Sequence, residues 1–256
     1  MSNSYVECLY YTIKAGDGIF FENSNPIEKK LDNFELRLEG NDLECKMIKK
    51  YTKVEDARKE VECYLKAWEK YNILKSGFKV IEFMYNRAII NTLDSSEDLN
   101  GVSKIIKKSG VFEVCGTVNI IVEKKIYLEP PQYFQLNENV EILQNRYEDY
   151  LRGKEKLPSM AYFCVTLIER DAGNRRQAAE KYKINKKVLD KLAELSSNKG
   201  DLEIDARKAK MNKGPLTEKE INWIEETVRR IIIRVGEYEN NPSLDLIDMS
   251  SLPDLE

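Results

Sequence analysis

The sequence predicts an α+β protein: an antiparallel sheet with one covering helix, followed by a helical bundle. Three observations predict it. Up to residue 128 the chain is dominated by short β-branched and aromatic runs with turn residues between them. One stretch within that half places its apolar residues at helical spacing instead. After Pro130-Pro131 helical periodicity takes over and continues to Val235.

The elements follow in order. Strands are expected over 5–13, 34–38, 43–48, 78–90 and 112–128. Gly16-Asp17-Gly18, Gly40-Asn41, Gly77 and Ser109-Gly110 supply the turns, because Gly and Asn tolerate the backbone angles that tight turns need. Thr52-x-x-Glu55 has the form of a capping box, and Val54, Ala57, Val61, Leu65 and Trp68 then recur at helical spacing. This helix is expected to cover one face of the sheet. Pro130-Pro131 breaks the pattern and marks a boundary between a strand-rich domain, 1–131, and a helical domain, 132–256, with an acidic tail.

In the second domain Val140, Leu143, Tyr147 and Leu151 mark a helix. Pro158 starts another over 159–171, which Gly173 stops. A short helix pair occupies 173–192. Thr217-x-x-Glu220 caps the last helix, whose apolar stripe is Ile221, Ile224, Val228, Ile231 and Val235.

Composition excludes several chemistries. Histidine is absent from the 256 residues, which removes Ser-His and Cys-His nucleophile pairs and His-containing zinc sites. The five cysteines are scattered, odd in number and form no CxxC, as expected of reduced, mostly buried thiols in the cytoplasm. The apolar runs, such as 231–233 and 161–165, are far too short to span a membrane, and no secretion signal follows Met1. No Gly-rich nucleotide loop occurs, and no cofactor is implied. Trp68 and Trp223 read as core anchors on amphipathic helices.

Charge is distributed unevenly. Residues 170–191 hold eight Lys or Arg against three Asp or Glu, a net of +5 within a chain of net charge −3. Residues 214–256 are acidic, with four basic and ten acidic side chains. A local basic segment of this kind is the electrostatic footprint of a nucleic-acid partner, DNA or RNA, unless the acidic end folds over it.

The segment Ala178-Ala179-Glu180-Lys181-Tyr182-Lys183-Ile184-Asn185 resembles the AAEKYGIS form of helix-turn-helix units in transposases and repressors. The resemblance covers about twenty residues, 173–192. It implies that Ala179 sits where the helices cross, that Tyr182 and Ile184 flank the turn, and that Leu189 and Leu192 are buried. Arg175, Arg176, Lys183, Lys186 and Lys187 would contact phosphates, and Asn185 would read a base edge. Lys183 departs from the pattern, since it stands where Gly is usual and positive φ is strained. A plain helical hairpin with solvated lysines fits the same residues.

A second basic segment, Ala206-Arg207-Lys208-Ala209-Lys210-Met211-Asn212-Lys213-Gly214, resembles the end of HEPN domains, the helical bundles of RNA-cleaving toxins and antiviral systems. Arg207 and Lys208 match the Arg and polar positions, and Asn212 stands in place of the His. The resemblance implies a nucleic-acid-binding member without the usual acid–base chemistry, because Asn does not titrate near neutral pH. A basic loop between helices accounts for it equally.

Two E-x-K triplets, Glu44-Cys45-Lys46 and Glu123-Lys124-Lys125, fall on expected strands, with Asp32 or Asp42 as a further carboxylate. Restriction-type nucleases pair a carboxylate and a lysine in this way. Cross-strand ion pairs explain the spacing as well. The leading expectation is a non-enzymatic accessory protein that touches nucleic acid. The alternatives are a nuclease of a defence or toxin system, HEPN-derived or metal-dependent, and a pure protein–protein module.

Overall fold

The computed structural model describes residues 3–16, 26–93, 129–199 and 214–255. The chain forms two compact units, Met1–Pro130 and Pro131–Glu256. Among the described residues the first is an antiparallel sheet with one helix and the second is helical, so the protein is α+β.

The first unit contains β1 (Asn3–Ala15), β2 (Ile27–Lys30), β3 (Phe34–Glu39), β4 (Asp42–Met47), α1 (Val54–Ser76) and β5 (Ile81–Leu93). The order across the five-stranded sheet is β2-β3-β4-β1-β5, and every neighbouring pair is antiparallel. Alternation decides the faces. Phe34, Leu36 and Leu38 on β3 and Leu43 and Cys45 on β4 point to the core with Leu9, Tyr11 and Ile13. Ala57, Val61, Leu65 and Trp68 of α1 complete that core. Each large apolar side chain buried there contributes roughly 1.5–3 kcal/mol.

One local expectation is corrected and one strand is added. The N-cap of α1 is Lys53, whose side chain makes no capping bond, so Thr52 does not close a capping box. Strand β2 was not legible, because Ile27-Glu28-Lys29-Lys30 carries one apolar residue; its pairing with β3 makes it a strand. Gly77, at φ 80°, donates its N–H to the Ile73 carbonyl and ends α1 before β5. The strand expected over 112–128 lies outside the described residues.

The second unit contains α2 (Glu138–Leu151), α3 (Leu157–Ala172), α4 (Arg175–Lys181), α5 (Lys186–Asn198) and α6 (Glu218–Glu237), with a 3-10 turn at Met249–Ser251. Pro158 lies in the first turn of α3, where its missing N–H costs nothing, and Gly173 (φ 104°) ends it. Helix α3 packs on α2, α4, α5 and α6. Its buried face is Met160, Ala161, Cys164, Val165, Leu167 and Ile168. The capping box at Thr217 and Glu220 forms as expected: Thr217 Oγ1 accepts from the Glu220 N–H, and Glu220 accepts from the Thr217 N–H. Trp223, Ile224, Val228, Ile231 and Val235 of α6 are fully buried, whereas Ile221 is exposed one turn from the helix start.

Candidate nucleic-acid interface

Helices α3, α4 and α5 make a three-helix arrangement in which each packs on the other two. Asn174 caps α4 by accepting the Gln177 N–H at 3.0 Å, which fixes the rotational phase of this seven-residue helix. Ala178 and Tyr182, four apart, therefore face inward and are completely buried. Ala178, not Ala179, fills the crossing; Ala179 is only half-buried, and its carbonyl instead accepts the Ile184 N–H at 3.0 Å. Ile184, Val188, Leu189 and Leu192 are buried as the pattern implies.

Lys183 sits in the turn between α4 and α5 at φ 51°, the one non-glycine residue with positive φ among the described residues. Two distant segments hold that backbone. Arg234 of α6, itself buried, donates through Nη1 to the carbonyls of Tyr182 at 3.0 Å and Lys183 at 3.1 Å. Ile247 forms a parallel bridge with Ile184: its N–H donates to the Lys183 carbonyl at 3.0 Å, and its carbonyl accepts the Asn185 N–H at 2.7 Å. The Tyr182 ring stands edge-on to Tyr238 at 4.9 Å, and its hydroxyl donates to Asp171.

The sequence-expected contact residues separate into classes. Arg175 donates to both Glu169 of α3 and Asp190 of α5, so it ties three helices together. Arg176 pairs with Glu180, and Lys186 with Asp190, each one turn along its own helix at an exposed site. Such pairs are worth only about 0.3–0.5 kcal/mol and release readily. Lys181 pairs with Asp171, and Lys191 with Glu194. Among the described residues the exposed side chains of Arg170, Lys183 and Lys187 take no ion pair. Asn185 is the N-cap of α5, its side-chain oxygen accepting the Lys187 N–H at 3.0 Å. Its amide oxygen is thus engaged in holding the helix start.

Widening the window to 169–194 adds Glu169 and Glu194, which lowers the net charge from +5 to +3. The neutralising carboxylates come from the same three helices. On α6, Glu220 binds Lys199 at 2.6 Å and Glu225 accepts from Tyr150, so neither covers the cations of 170–191. Asp190 is held below the ordinary carboxylate range by the Lys186 hydrogen bond first and by Arg175 second. Burial opposes ionisation of Asp171, but hydrogen bonds from Lys181, Tyr182 and Asn139 outweigh it and lower its pKa as well.

Arg207, Lys208 and Asn212 lie outside the described residues, as does the Glu123 triplet. Glu44 and Lys46 share the sheet face opposite α1, as E-x-K spacing requires. Glu44 there accepts hydrogen bonds from Tyr10 at 3.2 Å and Cys8 at 3.6 Å. It also stands in register with Arg37 of β3. Among the described residues no group of three or more Cys, Asp or Glu is placed to hold a metal ion. None of their helices is long and apolar enough to cross a membrane.

Sequence reasoning missed Arg234 and Ile247. Arg234 lies one residue before Val235 of the apolar stripe, where an inward-facing Arg contradicts the pattern. That contradiction was the available signal, because a buried guanidinium needs acceptors. No family model matches this chain, and no curated protein or solved structure matches it.

Proposed function

We propose that the α3–α4–α5 unit binds nucleic acid through its phosphates, and that the protein serves as a non-enzymatic accessory factor in the cytoplasm. The observation that carries this reading is the α4–α5 turn. Lys183 adopts there the left-handed conformation that the helix-turn-helix resemblance asks of a glycine. Free cations sit in the turn and in the first turn of the following helix, Lys183 and Lys187, with Arg170 on the last turn of α3. Cations at such positions fit phosphates and carry no base information. Arg176 and Lys186 are reserve contacts, since their intrahelical pairs break at little cost. Arg175 is structural, and Asn185 is a helix cap before it is a base reader. The described cysteines, Cys8, Cys45, Cys63 and Cys164, are all free thiols, which fits a reducing compartment.

Fluorescence anisotropy with labelled DNA duplex, single-stranded DNA and RNA across a salt series tests the reading. Three phosphate contacts predict a slope of log K against log salt of roughly −2.7 on duplex, with Kd in the range of about 10⁻⁴–10⁻⁶ M near physiological salt. Absence of binding to all three at low salt overturns it. One observation favours the second reading, a protein-interaction module: carboxylates of the same helices pair with most of the basic segment.

A further inference from the structure

We infer that Arg234 is a positioning residue for the phosphate contacts, acting as a latch on the Lys183 turn from a helix that carries none of them. The inference rests on the phosphate-binding reading above. A non-glycine residue in the left-handed region is disfavoured by its own Cβ and carbonyl, so Lys183 leaves that region unless surrounding contacts hold it. Two bonds within the helix pair close the cap of α4, from the Ile184 N–H to the Ala179 carbonyl at 3.0 Å and from the Lys183 N–H to the Glu180 carbonyl at 3.5 Å, and the side of the turn they leave open is held from outside the pair. The Arg234 guanidinium bonds the carbonyls of Tyr182 and Lys183, and the Ile247 backbone bonds Lys183 and Asn185 on either side. The Lys183 carbonyl thus accepts twice, from Arg234 at 3.1 Å and from Ile247 at 3.0 Å.

Burial makes the latch stiff. Arg234 is 8% exposed and Ile247 is 6% exposed, so water does not readily replace either donor. Every bond of the latch ends on backbone that sets the direction in which α5 leaves the turn. The spacing between Lys183 and Lys187 depends on that direction, so the α5 cations meet successive phosphates only while the latch is closed. A binding-competent state populated only in part weakens apparent affinity by its population. The segment around Ile247 is therefore part of the interface support. Deleting the acidic tail from residue 240 onward removes half of the latch together with the tail's negative charge.

The experiment measures affinity of the full chain for a short random-sequence DNA duplex at low salt. It compares wild type, Arg234→Met, Arg234→Lys, Lys183→Gly, and Arg234→Met combined with Lys183→Gly, each below its melting temperature. Arg234→Met removes the donors and keeps an apolar stem, and affinity is expected to fall about tenfold, the size of the left-handed penalty it exposes. Arg234→Lys restores a donor and recovers part of that loss. In the Lys183→Gly background glycine needs no latch, so adding Arg234→Met is expected to cost less than about threefold. A merely structural role would weaken binding equally in both backgrounds, and that result overturns the inference while leaving the phosphate reading intact. Wild-type protein that does not bind overturns both. Should Arg234→Met fail to fold, amide exchange decides: protection of the Ile247 N–H in wild type rises when duplex is added if latch and interface are coupled, and stays unchanged if they are not.

Discussion

Arg175 donates to Asp190 across the gap between α4 and α5, with Nη1 3.0 Å from Oδ1, and the same guanidinium reaches back to Glu169 on α3. A residue expected to touch phosphate is thus occupied in joining three helices. Arg175→Gln is expected to destabilise the helical unit by about 1 kcal/mol, because it leaves Glu169 without its cation and Asp190 with Lys186 alone. Urea denaturation followed by far-UV circular dichroism measures this.

Ala178 fills the α4 crossing and Ala179 does not. Ala178→Leu is expected to overpack the contact with α3 and α5 and cost roughly 1–3 kcal/mol, while Ala179→Leu costs less than about 1 kcal/mol. Melting temperatures of the two variants separate the registers. A larger loss for Ala179→Leu than for Ala178→Leu would place the inner face of α4 one residue further on.

Gly236 lies near the end of α6, where a Cβ would enter the Phe134 ring. The Gln135 N–H also donates to the Gly236 carbonyl at 2.9 Å. Helix propensity alone favours Gly236→Ala by roughly 1 kcal/mol. The clash is expected to reverse that sign and leave a net loss in thermal denaturation, since rigid ring and backbone atoms do not move aside cheaply.

Acid is expected to loosen the helical unit. Asp171, Asp190, Glu220 and Glu226 all hold their protons less tightly in the fold than outside it. A carboxylate whose folded pKa is depressed contributes stability above its unfolded pKa and loses it as pH falls through the folded value. With reference values of 3.8 for Asp and 4.5 for Glu, the loss begins near pH 4.5 and grows below it. Urea midpoints from pH 7 to pH 3 give the profile.

The sequence carried the architecture well where local signals agreed with packing. The alternation of Phe34, Leu36 and Leu38 and the stripe from Ile224 to Val235 both face their cores. Thr217 and Glu220 form their box because the helix starts where the motif needs it, with Thr217 as N-cap and Glu220 at the third helical position. At Thr52 the same motif failed, since the helix began one residue later. Edge strand β2 escaped because its strand character lies in pairing with β3 and not in its own residues. In the candidate site, the basic residues and the Lys183 anomaly were legible. Their pairing was not, because Arg175 meets Asp190 fifteen positions away, and Arg234 meets Lys183 fifty-one positions away, only through the packed helices.

On the phosphate-binding proposal, the free cations Arg170, Lys183 and Lys187 meet the phosphates and the locked Arg175 does not. The most direct measurement compares salt slopes of duplex binding for wild type, the Arg170→Gln/Lys183→Gln/Lys187→Gln triple variant, and Arg175→Gln. Each lost phosphate contact flattens the slope by about 0.9. The triple variant is expected to lose roughly 2.7 units of slope, while Arg175→Gln keeps the wild-type slope despite its lower stability. A triple variant with an unchanged slope, or an Arg175→Gln slope flattened by one contact, would contradict the account.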